Sequence, residues 1–124
     1  MDVPAIRNDG RLEEFFIEHI GAIAAINTAR GITTVFIGQM FNRELLQRTP
    51  HGRLVALEYK DVWPMQERLN SILERTATSL GTRYIDAGIA HFSNDDFADI
   101  GHFSATGSKK FADLISGRIE TYCK

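Results

Sequence analysis

The chain has 124 residues, of which 44% are hydrophobic and 24% charged, with a formal net charge of -2. Those values suit one globular domain with a modest core, and they offer no basic footprint for nucleic acid. The single cysteine, Cys123, excludes an internal disulfide, and no Cys/His set has metal-ligand spacing, so neither a metal nor another cofactor is expected.

Residues 1–7 contain no apolar core of a signal peptide, and no apolar run reaches the length of a membrane span. A cytoplasmic location is the default expectation. Residues 3–6 are short and apolar, and read as the tail of a strand. Arg7-Asn8-Asp9-Gly10 is turn chemistry, because Asn and Asp bond locally to backbone and Gly accepts positive φ. The spacing of Leu12, Phe15, Phe16, Ile20, Ile23 and Ile26 predicts a helix over 12–30, ended by Gly31. The β-branched, nearly all-apolar run Ile32-Thr33-Thr34-Val35-Phe36-Ile37 predicts a buried strand, parallel in a sheet.

Residues 43–60 carry a weaker pattern: a short helical turn over Glu44 to Arg48, then a loop at Thr49-Pro50-His51-Gly52. Asp61 is positioned to cap the next helix, with Pro64 in its first turn. Val62, Met65, Leu69, Ile72, Leu73 and Leu80 form the apolar face of that helix, which Gly81 ends. A second short strand follows over Arg83 to Ala87, then a loop over 88–103. Ser104 or Thr106 caps a final helix with Phe111, Leu114, Ile115, Ile119 and Tyr122 on its apolar face.

The loop holds the one constellation that looks like chemistry. Asp99 precedes His102 by three residues. A carboxylate on the Nδ1 side fixes an imidazole's tautomer and orientation, which a general base requires. The bare pair is a weak signal, roughly a one-in-four accident at this composition; its flanks, Ser104, Gly107 and a helix, add the weight.

From about residue 12 to the end, the order of elements resembles the C-terminal half of the SGNH/GDSL hydrolase family. The last block of that family, Asp-x-x-His followed by Ser and Gly and then a helix, is matched by Asp99-Ile100-Gly101-His102-Phe103-Ser104-Ala105-Thr106-Gly107. Tyr84-Ile85-Asp86 resembles the strand that leads into it. The resemblance implies that His102 is the general base and Asp99 its orienting acid. The third block of the family, Gly-x-Asn-Asp, is matched in part by Ile6-Arg7-Asn8-Asp9, where the glycine is absent. That makes Asn8 a candidate side-chain donor to an oxyanion hole, with a plain turn residue as the alternative.

No Gly-Asp-Ser block occurs, so the source of the nucleophile is unknown, and no second block is present. Of the six serines, Ser71, Ser79, Ser93, Ser104, Ser108 and Ser116, none occupies a strand-to-helix elbow. The implied fold is α/β: a single, partial SGNH-like domain over 1–124, with a three-layer, flavodoxin-type parallel sheet and its N-terminal blocks missing. A doubly wound sheet normally has about five strands, and only two are predicted here.

Two functional expectations follow. One is a serine ester hydrolase acting on a small-molecule, lipid or carbohydrate acyl ester, its serine coming from elsewhere. The other is a non-catalytic fragment or an α/β module that pairs with its own copy or with a complementing chain. The remaining singular residues have bland readings. His91 and Asp95-Asp96 read as a polar surface loop, His19 and His51 as surface, and Lys109-Lys110 as a solvated helix face. Phe15, Phe16, Phe36 and Phe111 read as core, and Trp63 as packing.

Overall fold

The computed structural model describes residues 10–49, 52–54 and 57–123. Its elements run α1 (Gly10–Ala29), β1 (Val35–Ile37), α2 (Arg43–Arg48), β2 (Arg53–Leu54), β3 (Leu57–Glu58), α3 (Tyr59–Ser79), β4 (Arg83–Ile85) and α4 (Ala105–Tyr122). Two 3-10 turns, Ile89–His91 and Asn94–Asp96, lie between β4 and α4. The structure is a helix-rich α/β arrangement around a small parallel sheet. No helix among the described residues is long and apolar enough to cross a membrane.

β1 and β4 pair in parallel, with Val35 opposite Arg83, Phe36 opposite Tyr84 and Ile37 opposite Ile85. A parallel pair needs a crossover connection, and the stretch from α2 through α3 provides it. Side chains alternate across the strands. Val35, Ile37 and Ile85 pack with Met40 and Ala87 against Phe111, Ile115 and Ile119 of α4. Tyr84 points the other way, its hydroxyl meeting Gly38 beside the Asn70 amide of α3. A Cβ on Gly38 would lie 2.5 Å from that hydroxyl, so the strand exit needs glycine for close approach.

The predicted strand over 32–37 is paired only from Val35 and is half-buried rather than buried. The Ile32 N–H is taken by the Asn27 carbonyl, so the start of the run completes the end of α1 instead of joining the sheet. Among the described residues β4 is the only strand beside β1, which leaves β1 less covered than a central strand.

The segment with the weak pattern contains a short antiparallel hairpin, β2 with β3, just after the expected loop and in a stretch to which the sequence assigns no element. Because β3 leads directly into α3, that helix begins at Tyr59, two residues before the predicted cap. Glu58 is the N-cap residue and makes no side-chain capping bond. Pro64 therefore falls in the second turn, where it withholds one backbone donor from the helix.

Val62, Ile72, Leu73 and Ala77 of α3, Ile20 and Ala24 of α1, and Leu46 of α2 are buried. Ile85 is 1% exposed at the centre of the sheet-side core. Truncation of Ile85 to alanine is expected to cost about 3 kcal/mol through lost transfer energy and a residual cavity. Urea unfolding of Ile85→Ala beside Ile32→Ala, an exposed control, measures it; equal losses would contradict the assignment of the core.

Candidate functional site

The predicted pair forms. His102 Nδ1 lies 2.9 and 2.8 Å from the two Asp99 carboxylate oxygens. A carboxylate accepts only, so Nδ1 is the donor in this contact, and in the neutral imidazole the lone pair is on Nε2. The local fold holds the acid as well as the base. Asp99 Oδ1 accepts from the Gly101 N–H at 2.9 Å and from the His102 N–H at 2.8 Å. These backbone donors, Gly101 first, together with the His102 imidazole, hold the Asp99 carboxyl below its ordinary value of 3.8.

A narrow loop carries the pair. Phe97 and Phe103 bridge antiparallel, the Ala98 N–H donates to the His102 carbonyl at 2.8 Å, and the Ser104 N–H donates to the Asp96 carbonyl at 2.9 Å. The tip of this loop, 98–102, presents the dyad to solvent: the His102 side chain is 83% exposed and that of Asp99 58%. The Asn42 N–H donates to the Ile100 carbonyl at 2.7 Å, which ties the tip to the stretch between β1 and α2. Phe41 lies against Gly101, where a Cβ would approach its ring to 3.3 Å.

Below the tip, the stem is clamped by groups that no apolar pattern singles out. Asp96, which the polar loop pattern places at the surface, is only 2% exposed. Its carboxylate accepts from the Ser93 N–H at 2.8 Å and from Lys110 Nζ at 2.5 Å. The Lys110 ammonium, and then the Ser93 N–H, outweigh burial and hold the Asp96 carboxyl below 3.8. Of the two lysines expected to be solvated, only Lys109 is, paired with Asp113 on its own helix; Lys110 turns inward to Asp96 and over the Phe92 ring. Phe92, Phe97, Phe103 and Phe111 stack beside this clamp with centroids 5.2–6.3 Å apart.

The Ser93-x-x-Asp96 spacing is the readable signal of this clamp, because a hydroxyl and a carboxylate three residues apart make a reciprocal cap. Asn42 is likewise the N-cap of α2, buried, and its amide donates to the Asn94 side chain at 2.9 Å. A cleft of about 290 Å3 opens beside this contact, lined among others by Arg43, Phe92, Ser93 and Phe97. An apolar groove of about 340 Å3 reaches Phe41 from the other direction, between Phe16, Ile37, Met65 and Leu69.

Of the two caps considered for the last helix, Ser104 is the one used. Its Oγ accepts from the Gly107 N–H at 3.2 Å and donates to the Asp95 carbonyl at 2.8 Å. The hydroxyl proton is thus committed to backbone. Ser71, Ser79 and Ser116 donate to carbonyls of their own helices, and Ser93 to Asp96. Ser108 lies exposed in the first turn of α4. None of the six serine hydroxyls bonds to His102.

Asn8 and His51 lie outside the described residues. Among the described residues no group of three or more His, Cys, Asp or Glu is placed to hold a metal ion. His91 is exposed at a 3-10 turn, and Trp63 packs under the Arg43 guanidinium at 4.2 Å. Compared with protein families and with curated proteins, the sequence matches none.

Proposed function

We propose that this chain carries the base half of an ester-hydrolase site of the SGNH/GDSL type. Asp99 holds Nδ1–H of His102, and Nε2 takes the proton of a serine hydroxyl as its oxygen attacks the acyl carbon of an ester. The tetrahedral oxyanion then collapses, the alcohol leaves with the proton returned from Nε2, and water repeats the sequence to release the acid. In this reading Asn8 donates to the oxyanion, and the serine comes from another polypeptide. The substrate class is an acyl ester of a small molecule, lipid or carbohydrate.

The observation that carries the reading is the carboxylate contact at Nδ1 on a loop that also fixes the carboxylate by two backbone N–H groups. That is more orientation than a surface ion pair requires, and it leaves Nε2 of the neutral imidazole to act on a substrate. A second reading, a non-catalytic α/β module, is favoured by the commitment of five serine hydroxyls to other acceptors.

Nitrogen-15 NMR of the imidazole separates the two at their root. Neutral His102 is expected as the Nδ1–H form, shifting toward the ordinary Nε2–H form in Asp99→Asn. An Nε2–H imidazole in the parent chain would sink the general-base assignment. Hydrolysis of p-nitrophenyl acetate and butyrate, run beside His102→Ala, is expected to show no rate above the variant, because a base without a nucleophile forms no acyl-enzyme. Turnover that His102→Ala abolishes would instead place a competent serine within this chain or a second copy of it.

A further inference from the structure

Helix α1 packs on α3 through Ile20 and Ala24, while Glu13 binds Arg68. A second apolar stripe on the same helix is left exposed. Leu12, Phe15, Ile23 and Ile26 are exposed, Phe15 by 60% and Ile26 by 55%. With His19 they follow one another at three- and four-residue steps, so they share one helix face. Phe15 and Phe16 were both expected in the core; Phe16 lines the apolar groove beside α3 and Phe15 turns to solvent.

The stripe is symmetric about its centre. Leu12 and Ile26 lie seven residues on either side of His19, and Phe15 and Ile23 lie four on either side. A face with that spacing is complementary to itself when reversed. Two copies crossing antiparallel on a two-fold axis at His19 set Leu12 against Ile26 of the other copy and Phe15 against Ile23, with both contacts made twice. Glu14 and Glu18 fall on other faces of the helix, so no carboxylate pair meets at the seam. The His19 imidazole is folded back on its own helix, with Nδ1 2.6 Å from the Phe15 carbonyl, and does not project as a wedge.

We infer that this face of α1 is a homodimer interface. The inference stands on α1 and does not depend on the hydrolytic reading. The area suits a reversible pair. A 20-residue helix runs about 30 Å, and laying one face of it on its copy buries on the order of 600 Å2 per partner, the lower end for specific interfaces.

Sedimentation velocity on the full chain tests this from the low to the high micromolar range. A concentration-dependent monomer–dimer equilibrium is expected. The double variant F15E/I23E is expected to weaken it by a factor of roughly 30 or more. Circular dichroism of that variant should match the parent, because both side chains are exposed. A bis-maleimide capture experiment tests the axis itself. In a Cys123→Ser background, His19→Cys should be captured as a covalent dimer, whereas Thr121→Cys, exposed on α4, should not. A monomer at every concentration, a dimer indifferent to F15E/I23E, or equal capture at the two positions would each overturn the interface.

Discussion

Gly107→Ala is expected to be the most damaging single-methyl change in the candidate site. A Cβ on Gly107 would lie 1.8 Å from the Asp96 carbonyl oxygen and 2.7 Å from its carbon. These are backbone atoms held on both sides: the same carbonyl accepts from the Ser104 N–H, and the Asp96 side chain is pinned by Ser93 and Lys110. The helix cannot accept the methyl without backing away from the stem that carries Asp99 and His102. Overpacking of this kind costs about 3 kcal/mol, or roughly 10 °C of thermal midpoint for a domain of this size. Ser108→Ala, one residue on and exposed, is the control and should be neutral. Thermal unfolding of the two variants gives the comparison. Equal midpoints would mean that α4 does not press on the 93–104 stem as described. The imidazole NMR signature of Asp99 and His102 should also be lost in Gly107→Ala, since the loop tip depends on its stem.

Lys110→Met is expected to produce the second large loss. It removes the ammonium partner of the buried Asp96 and leaves a carboxylate with only Ser93 donating to it. Taking one partner from a buried pair is more damaging than replacing both, because the charge left behind is desolvated and uncompensated. The double variant K110M/D96N should therefore recover part of what Lys110→Met loses. Acid has the same target. The folded carboxyls of Asp96 and Asp99 titrate below the ordinary value of 3.8. Their contribution to stability is complete above that value and is lost as pH falls through the lower folded values. Unfolding followed against pH should show parent stability falling in that acid window. In Lys110→Met the share due to the pair is already gone at neutral pH, so its acid dependence should be shallower. An identical acid profile in parent and variant would refute the clamp.

Much of the architecture was legible in local sequence. The helix over Leu12 to Arg30 and the final helix appear within two residues of their expected bounds, and the helix ending at Gly81 within three, because apolar spacing, Gly stops and the Ser104 cap act over a few residues. The Asp99–His102 pair was legible for the same reason: a three-residue spacing in a tight turn puts acid and imidazole within reach of each other, and the stem below holds that turn in place. The β2–β3 hairpin was not, since two-residue strands have too short a period to register. It also moved the start of α3 away from Asp61.

The sequence by itself determined the helices, the two parallel strands, the order in which these follow one another, and the identity of the dyad. Those depend on backbone propensity, capping and contacts within one turn. Only the tertiary structure decided which apolar residues are covered. The spacing along α1 marks Phe15, Ile20 and Ile23 as equivalent, yet α3 reaches Ile20 and leaves the other two in solvent. It also decided which charges are buried. Asp95 and Asp96, or Lys109 and Lys110, are indistinguishable neighbours in sequence. Packing α4 against the Ser93–Ser104 stem selects Asp96 and Lys110 and leaves the others to water. Periodicity reports that a face is apolar or that a residue is charged; the partner that buries it comes from a distant part of the chain, and no local pattern encodes that meeting.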